Sequence, residues 1–496
     1  MSPIDPKGSL ERYLAALDPA QLATLARRYQ VLARQAGAYV ILADGAEIAI
    51  PPIITPVVQT VAERRTLAAD ARLLVQALSR VARDLIEGGD AHAQQLLFSP
   101  LSALEHDAMM RTYREAERLV TVRVDFLVGS DGAARALEVN ATIPAMQGYS
   151  DAIANGLLRA IGEQRGLTDA AIDAIVATNG SNTDDLLDSL LAHHATATGA
   201  APGPRAIAIV ARQGDSQGGE LDHYVRRWSE RGHTVWRATP EDITLGAHGP
   251  LANGRAVDLL YRHVFLRRVE ANTPFASMLM TPTAHRIWNP PASHLELKGM
   301  LAHLSAADHA DPVAARIGLT DAERDAVRRR LPWTRLCERA PARGPDGSHI
   351  VDLMAFAHAH QARLVLKRSW DYGGRGVFLG AELDEAASQT RLRSLVGVDG
   401  DVSWKMLLEH IERSGEAWAM QDLVDVRPQT LLRVEDTGPT ERVLYADLSA
   451  FTSLGNELAI EGGAVRASGG RIVNIQGGGG LAPLLREEAL TRLFGS

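Results

Sequence analysis

The sequence predicts an α+β protein, and three observations predict it. Residues 8–118 repeat apolar positions at helical spacing. Thr121–Gln147 alternates as two short strands about a turn. Ala206–Val210 and Arg363–Leu379 are apolar strand segments that run into glycine-bearing loops.

The chain has 496 residues, room for two to four domains with real cores. Hydrophobic residues make up 46% and charged residues 23%, ordinary values for a globular protein. The net charge of −8, without a long basic run, argues against nucleic acid as the main partner. Cys337 is the only cysteine, so no disulfide framework or zinc cluster forms within the chain, and it is expected to be a buried structural thiol. The first residues lack the layout of a signal peptide, and no stretch approaches about 20 uninterrupted apolar residues. A cytoplasmic protein without a membrane partner is expected.

In residues 1–118 a helical region is expected. Asp18-Pro19-Ala20-Gln21 reads as a capped helix start. Pro51-Pro52 and Pro56 break the pattern, a second helix runs from about Val57 to Glu87, and a third covers Ser102–Arg118. No chemistry shows in this region.

The pair of strands in Thr121–Gln147 is different. Val122, Val124, Phe126, Leu137 and Val139 fall on one face, and Arg123, Asp125, Glu138 and Asn140 on the other. A loop of two or four residues centred on Ser130-Asp131 places Arg123 opposite Glu138, with Asp125 diagonal to it. Carboxylate and amide oxygens suit Mg²⁺ better than Zn²⁺. Taken alone, the hairpin is better read as half-exposed with a surface Arg–Glu pair. The later chain shifts the balance.

Helices follow over Asp151–Gln164 and Thr168–His194. His193 and His194 point apart on a helix and are expected at the surface. After the linker-like residues 199–204, Ala206–Val210 begins an α/β unit, with further strands at Val235 and Val257–Tyr261. Its loop, residues 212–220, matches neither GxGxxG nor GxxxxGK[ST]. Arg212 and Ser216 in that loop, and Arg262 and Arg267 beyond it, are candidate substrate contacts. A carboxylate clamp and a solvated basic turn both fit the two later arginines.

From Asn289-Pro290-Pro291 onward, a helix over Leu295–Leu304 carries Lys298, and Thr320 caps another. An apolar strand then ends in Lys367, and Tyr372-Gly373-Gly374-Arg375-Gly376 follows. Glycines let backbone N–H groups approach phosphate oxygens, and a lysine at a strand end adds charge. A tight hairpin is the alternative, and the flanking cations favour phosphate. Trp418–Val424 is a strand able to offer main-chain groups to an adenine. Leu444–Phe451 is another strand. Arg466 reads as a phosphate or substrate contact, or as part of a turn, and Gly477–Gly480 as a loop over the site.

Together these segments resemble the ATP-grasp ligases, in the circularly permuted arrangement of glutathionylspermidine-synthase-like proteins. Arg123-Val-Asp125 and Glu138-Val-Asn140 precede Lys298 and Lys367, the inverse of the usual order. The resemblance covers about residues 119–150 and 285–480. It implies that Asp125, Glu138 and Asn140 hold Mg²⁺ and that Arg123 stabilises the transferring phosphoryl group. It also implies Lys298 and Lys367 on the ATP phosphates, Gly373, Gly374, Arg375 and Gly376 over them, and Gln421, Asp422, Leu423 and Val424 at the adenine. The loop Thr142-Ile143-Pro144-Ala145 departs from the pattern of glutathionylspermidine synthases, and the amidase domain of some relatives is not expected in these residues.

The expected architecture is therefore a circularly permuted ATP-grasp core with an N-terminal helical region and an inserted α/β, pre-ATP-grasp-like domain. Its parts are 1–118 (helical), 119–165 (metal-binding), 166–288 (substrate side) and 289–496 (nucleotide-binding). The expected activity is an ATP-dependent ligase joining a small carboxylate to an amine, such as an amino acid, peptide or polyamine. A small-molecule kinase and a non-catalytic nucleotide-binding module are the alternatives. The sequence does not set the oligomeric state.

Overall fold

A computed structural model describes residues 5–88, 90–306, 312–371, 373–456, 458–475 and 478–495, with the side chains of 312 and 313 left out of that description. Its centre is a six-stranded antiparallel sheet. The strand order is Gly480–Ala482, Gly463–Ser468, Gly438–Thr452, Val122–Val128 and Ala134–Asn140, with Gln429–Glu435 pairing with Gly438–Thr452 off this path. The Thr121–Gln147 hairpin is thus completed by strands from the far end of the chain, with Ser449 opposite Asp125.

The hairpin register differs from the expectation. Val128 pairs with Ala134, so the loop is residues 129–133, closed by Gly129 N–H on the Ala133 carbonyl. A bulge then inserts Leu137 between the pairs Phe126–Ala136 and Asp125–Glu138. Two single-residue shifts add up. Asp125, not Arg123, stands opposite Glu138, and Arg123 stands opposite Asn140. The four polar residues keep a common face, whereas Leu137 leaves the oily face and lines the cleft.

The oily face is covered by the long helix Val61–Ile86. Val122, Val124 and Phe126 share one core with its Leu74, Leu78 and Val81. The helix starts later than expected. Thr60 and Glu63 form a capping box, and Val57–Gln59 is instead a strand paired in parallel with Leu484–Arg486. The N-terminal region is not wholly helical either. Tyr39–Ile41 and Glu47–Ala49 form a hairpin about Asp44-Gly45, where Gly45 adopts φ +85°. The Pro19–Gln35 helix has the capping box that Asp18 and Gln21 predicted.

A smaller four-stranded antiparallel sheet, ordered Thr334–Leu336, Trp418–Asp422, Leu364–Arg368 and Val377–Leu379, forms a second lobe. Helices Leu353–Ala359, Ala386–Val396 and Trp404–Ser414 cover one side of it, burying Phe378, Leu407, Ile411 and Trp418. That leaves Lys367 and Gln421 on the side toward the large sheet.

The α/β unit contains a four-stranded parallel sheet, ordered Ile287–Trp288, Leu259–His263, Ala206–Ala211 and Thr234–Ala238. Separate apolar clusters line its two faces, which explains why Ala206–Ala211 reads as a continuous apolar run. His193 and His194 are buried here rather than at the surface. The ring nitrogens of His193 sit 2.8 Å from the carbonyls of Ser189 and Leu454, and both imidazoles contact Trp288. Cys337 is only partly buried. Among the described residues, no helix is long and apolar enough to cross a membrane.

Candidate functional site

The large and small sheets face each other across a cleft lined by residues of both. Every residue expected at the nucleotide lines it: Lys298, Lys367, Gly373, Gly374, Arg375, Gly376, Gln421, Asp422, Leu423 and Val424. Asp125, Glu138 and Arg466 line it as well. Arg123 and Asn140 stand behind Asp125, outside the lining.

The lysines bridge the two sheets. Lys367 Nζ donates to the Leu137 carbonyl at 3.1 Å and to Gln421 Oε1 at 2.7 Å. The bulge that turns Leu137 toward the cleft thus lies where Lys367 reaches across. Lys298 Nζ lies 3.6 Å from Glu138 Oε2 and donates to the Asp371 carbonyl at 2.9 Å. Burial lowers the pKa of Lys367 from 10.5 to about 8, with Glu138 opposing the fall and Lys298 adding to it. An anionic ligand beside it would favour the charged form and raise that pKa again. In the loop that follows, Gly373 and Gly374 have φ +67° and +74°, and a side chain at Gly374 would collide with Ile472.

Asp125 is engaged on both oxygens. Oδ1 accepts from Arg123 Nε at 2.7 Å and Ser449 Oγ at 2.8 Å. Oδ2 accepts from Arg123 Nη2, Asn140 Nδ2 and Arg466 Nη2 at 3.1, 3.2 and 2.9 Å. Burial pushes its pKa up, but the Arg123 and Arg466 guanidiniums outweigh burial and hold the carboxyl well below the usual range. Arg466 also pairs with Asp447, whose own pKa is raised by burial against the pull of Arg466. Two carboxylates and two guanidiniums therefore balance within the sheet. Glu138, with a third of its side chain exposed, is the hairpin carboxylate left facing the cavity. Among the described residues, no group of three His, Cys, Asp or Glu side chains is arranged to hold a metal ion. Mg²⁺ in nucleotide sites commonly takes one or two protein carboxylates and completes its shell with phosphate oxygens and water, and Glu138 fits that donor pattern.

The other candidate contacts lie elsewhere. Arg262 is fully buried and donates to the carbonyls of Asn289, Val264 and Pro290, a structural role that uses up its guanidinium. Arg267 pairs with Glu105. Arg212 pairs loosely with Asp215 at 3.4 Å, and the Ser216 carbonyl accepts from Ile41 N–H. None of these four lines the cavity.

The sequence reading missed Asp447, Tyr445 and Asp371, all of which line the cavity. For the first two the signal was present. Tyr445, Asp447 and Ser449 alternate with Leu444, Leu448 and Ala450 of the core, the strand pattern that had exposed the polar face of the hairpin. It also missed how the loop after Asn140 is held. Partly buried Glu296 accepts from Ala141 and Thr142 N–H at 2.7 and 2.5 Å, and buried Glu220 from Met146 and Gly148 N–H at 2.8 and 3.0 Å. Burial raises the Glu220 pKa to about 7 and raises that of Glu296.

This arrangement has a counterpart of the same fold among solved structures. One solved structure that shares it is a glutathione synthetase-like effector, GSS30, from Globodera pallida in its apo form. The match has a TM-score of 0.58 and 12% identity, and covers 95% of this chain and 98% of that one. At that identity the likeness is one of fold alone, and it is to a glutathione synthetase-like chain rather than to a glutathionylspermidine synthase. No protein-family model matches the chain. No curated protein matches it either.

Proposed function

We propose that the protein is an ATP-dependent ligase that activates a substrate carboxylate as an acyl phosphate and joins it to an amine. The observation that carries the reading is the meeting of Glu138, Lys298, Lys367 and the Gly373–Gly376 loop at one cavity, where Lys367 reaches a residue 230 positions earlier in the chain. The order of these segments, hairpin before lysines, is that of a circularly permuted ATP-grasp core.

In this reading the adenine lies beside Gln421–Val424, between apolar walls that include Leu127, Leu137 and Val365. Lys298 and Lys367 neutralise the phosphates, and the N–H groups of the glycine loop cover them. Glu138 would hold Mg²⁺, which supplies further charge neutralisation when bound, with Asn140 bonded to Asp125 behind it. Asp125 acts mainly as an anchor, fixing Arg123 behind it and Arg466 at the cavity wall. A substrate carboxylate oxygen attacks the γ-phosphorus, and ADP leaves with the electrons of the broken P–O bond. The amine then attacks the acyl carbon, loses a proton and expels phosphate, giving an amide. Phosphorylation is needed because a carboxylate otherwise has only oxide as its leaving group.

The test is ADP release against pairs of carboxylic acids with amino acids, peptides and polyamines. A ligase yields ADP and amide only when both partners are present, whereas ADP with a single hydroxyl or carboxyl substrate marks a kinase. Undiminished turnover in Lys367→Ala would overturn the assignment.

A further inference from the structure

Arg267 lies on a path that runs from the N-terminal helices to the root of the glycine loop. Glu105, in the helix Ala103–Thr112, is 1% exposed. Its carboxylate accepts from Ser102 N–H, from Ser293 Oγ at 3.1 Å, and from Arg267 Nε and Nη2 at 3.1 and 2.7 Å. The guanidinium held in this way lies 3.1 Å from the centroid of the Trp370 ring. Phe265 meets the same ring edge-on at 6.4 Å.

Trp370 has neighbours that matter to the site. Ser369 before it takes Lys298 N–H on its carbonyl and Gly299 N–H on its hydroxyl. Asp371 after it takes the Lys298 ammonium on its carbonyl at 2.9 Å. The indole therefore sits between the two residues that orient Lys298, at the start of the loop carrying Gly373–Gly376.

We propose that Arg267 is a positioning residue for the nucleotide phosphates. Anchored by Glu105, it clamps Trp370 and so fixes Lys298 and the glycine loop in the geometry that receives a triphosphate. The inference rests on the nucleotide-binding part of the ligase reading. Arginine suits the task because its planar fork engages a carboxylate in plane while its face stacks on an aromatic ring, which an ammonium does not do. The N-terminal helices thereby acquire a part in the site, through Glu105.

The experiment uses the full chain and measures binding of Mg²⁺ with a non-hydrolysable ATP analogue by calorimetry, alongside thermal unfolding. Arg267→Ala and Trp370→Ala should each raise Kd by about 3- to 10-fold, and the double variant by no more than the larger single effect. Trp370→Phe, which keeps an aromatic face, should recover most of the affinity. Arg267→Lys, which loses the fork, should not. The two conservative variants decide the matter if the alanine variants fail to fold. Unchanged Kd in folded Arg267→Ala or Arg267→Lys, or additive effects in the double variant, would overturn the clamp while leaving the ligase reading intact. Failure of the wild-type chain to bind the nucleotide would overturn the nucleotide reading and the clamp with it.

Discussion

Lys367→Met separates a functional lysine from a structural one. The fall of the Lys367 pKa from 10.5 to about 8 corresponds to about 3 kcal/mol by which the empty cleft disfavours its charge. The sign follows directly: a buried base with a lowered pKa destabilises the empty fold at pH below about 8, and the penalty fades as pH rises toward 10.5. Methionine removes that penalty but leaves the Leu137 carbonyl and Gln421 Oε1 without their lysine donor, at about 1–2 kcal/mol each. The empty variant should therefore unfold within about 2 kcal/mol of the wild type. Nucleotide binding should respond quite differently. A charge-assisted bond to phosphate is worth about 1.5–3 kcal/mol, so the Kd for Mg²⁺–ATP should rise by about 10- to 150-fold at pH 7. In the wild type, only the protonated lysine serves the phosphate. Affinity should hold steady below pH 8 and fall above it by at most about tenfold per pH unit, and the slope should be absent in the variant. Calorimetry across pH 6.5–9.5, paired with denaturant unfolding, reads both quantities. A variant that loses stability but keeps its affinity would refute the reasoning, because Lys367 would then be a strut between the sheets.

Three further outcomes are expected. Glu138→Gln should leave unfolding nearly unchanged, since the side chain is one-third exposed, and should lower ADP formation by at least about 100-fold once substrates are found. Arg466→Met should cost about 3–5 kcal/mol at pH 7, because Asp125 and Asp447 lose a shared cation. The gap between the two unfolding midpoints should then narrow as pH falls. The lowered pKa of Asp125 gives the wild type stability that is lost on acidification, whereas in the variant protonation of Asp447 relieves strain as pH falls. Gly374→Ala should weaken Mg²⁺–ATP binding in the same calorimetric assay, since the φ of +74° and the contact with Ile472 both oppose a side chain.

Much of the site was legible because it is written in alternation and loop chemistry. Asp125, Glu138, Lys367 and the glycine run announce themselves at strand positions and strand ends. What escaped has physical reasons. The hairpin register depended on a loop of residues 129–133 and on a bulge at Leu137, and alternation within either strand is blind to both. Arg262 and Arg267 read as a basic cluster, yet each is absorbed by partners distant in sequence: carbonyls of residues 289 and 290 in one case and Glu105 in the other. His193 and His194 were misplaced because a surface helix and a helix packed on a parallel sheet share the same period. Asp44-Gly45 did signal its hairpin, but it lay inside a stretch dominated by helical spacing.

The distribution of charge explains why the hairpin alone was ambiguous. Arg123, Asp125 and Asn140 bond to one another and to residues of the neighbouring strands, so most of the polar face is spent on holding the large sheet together. A sheet whose buried charges are mutually satisfied is rigid and offers little to a ligand. The groups available for chemistry sit at its rim, where Glu138 meets the lysines of the other lobe. A site of this kind cannot be recognised from one of its halves. Its polar residues look like a surface pair until the second sheet brings Lys298 and Lys367 to them, and the same division puts the ligand where the two lobes meet.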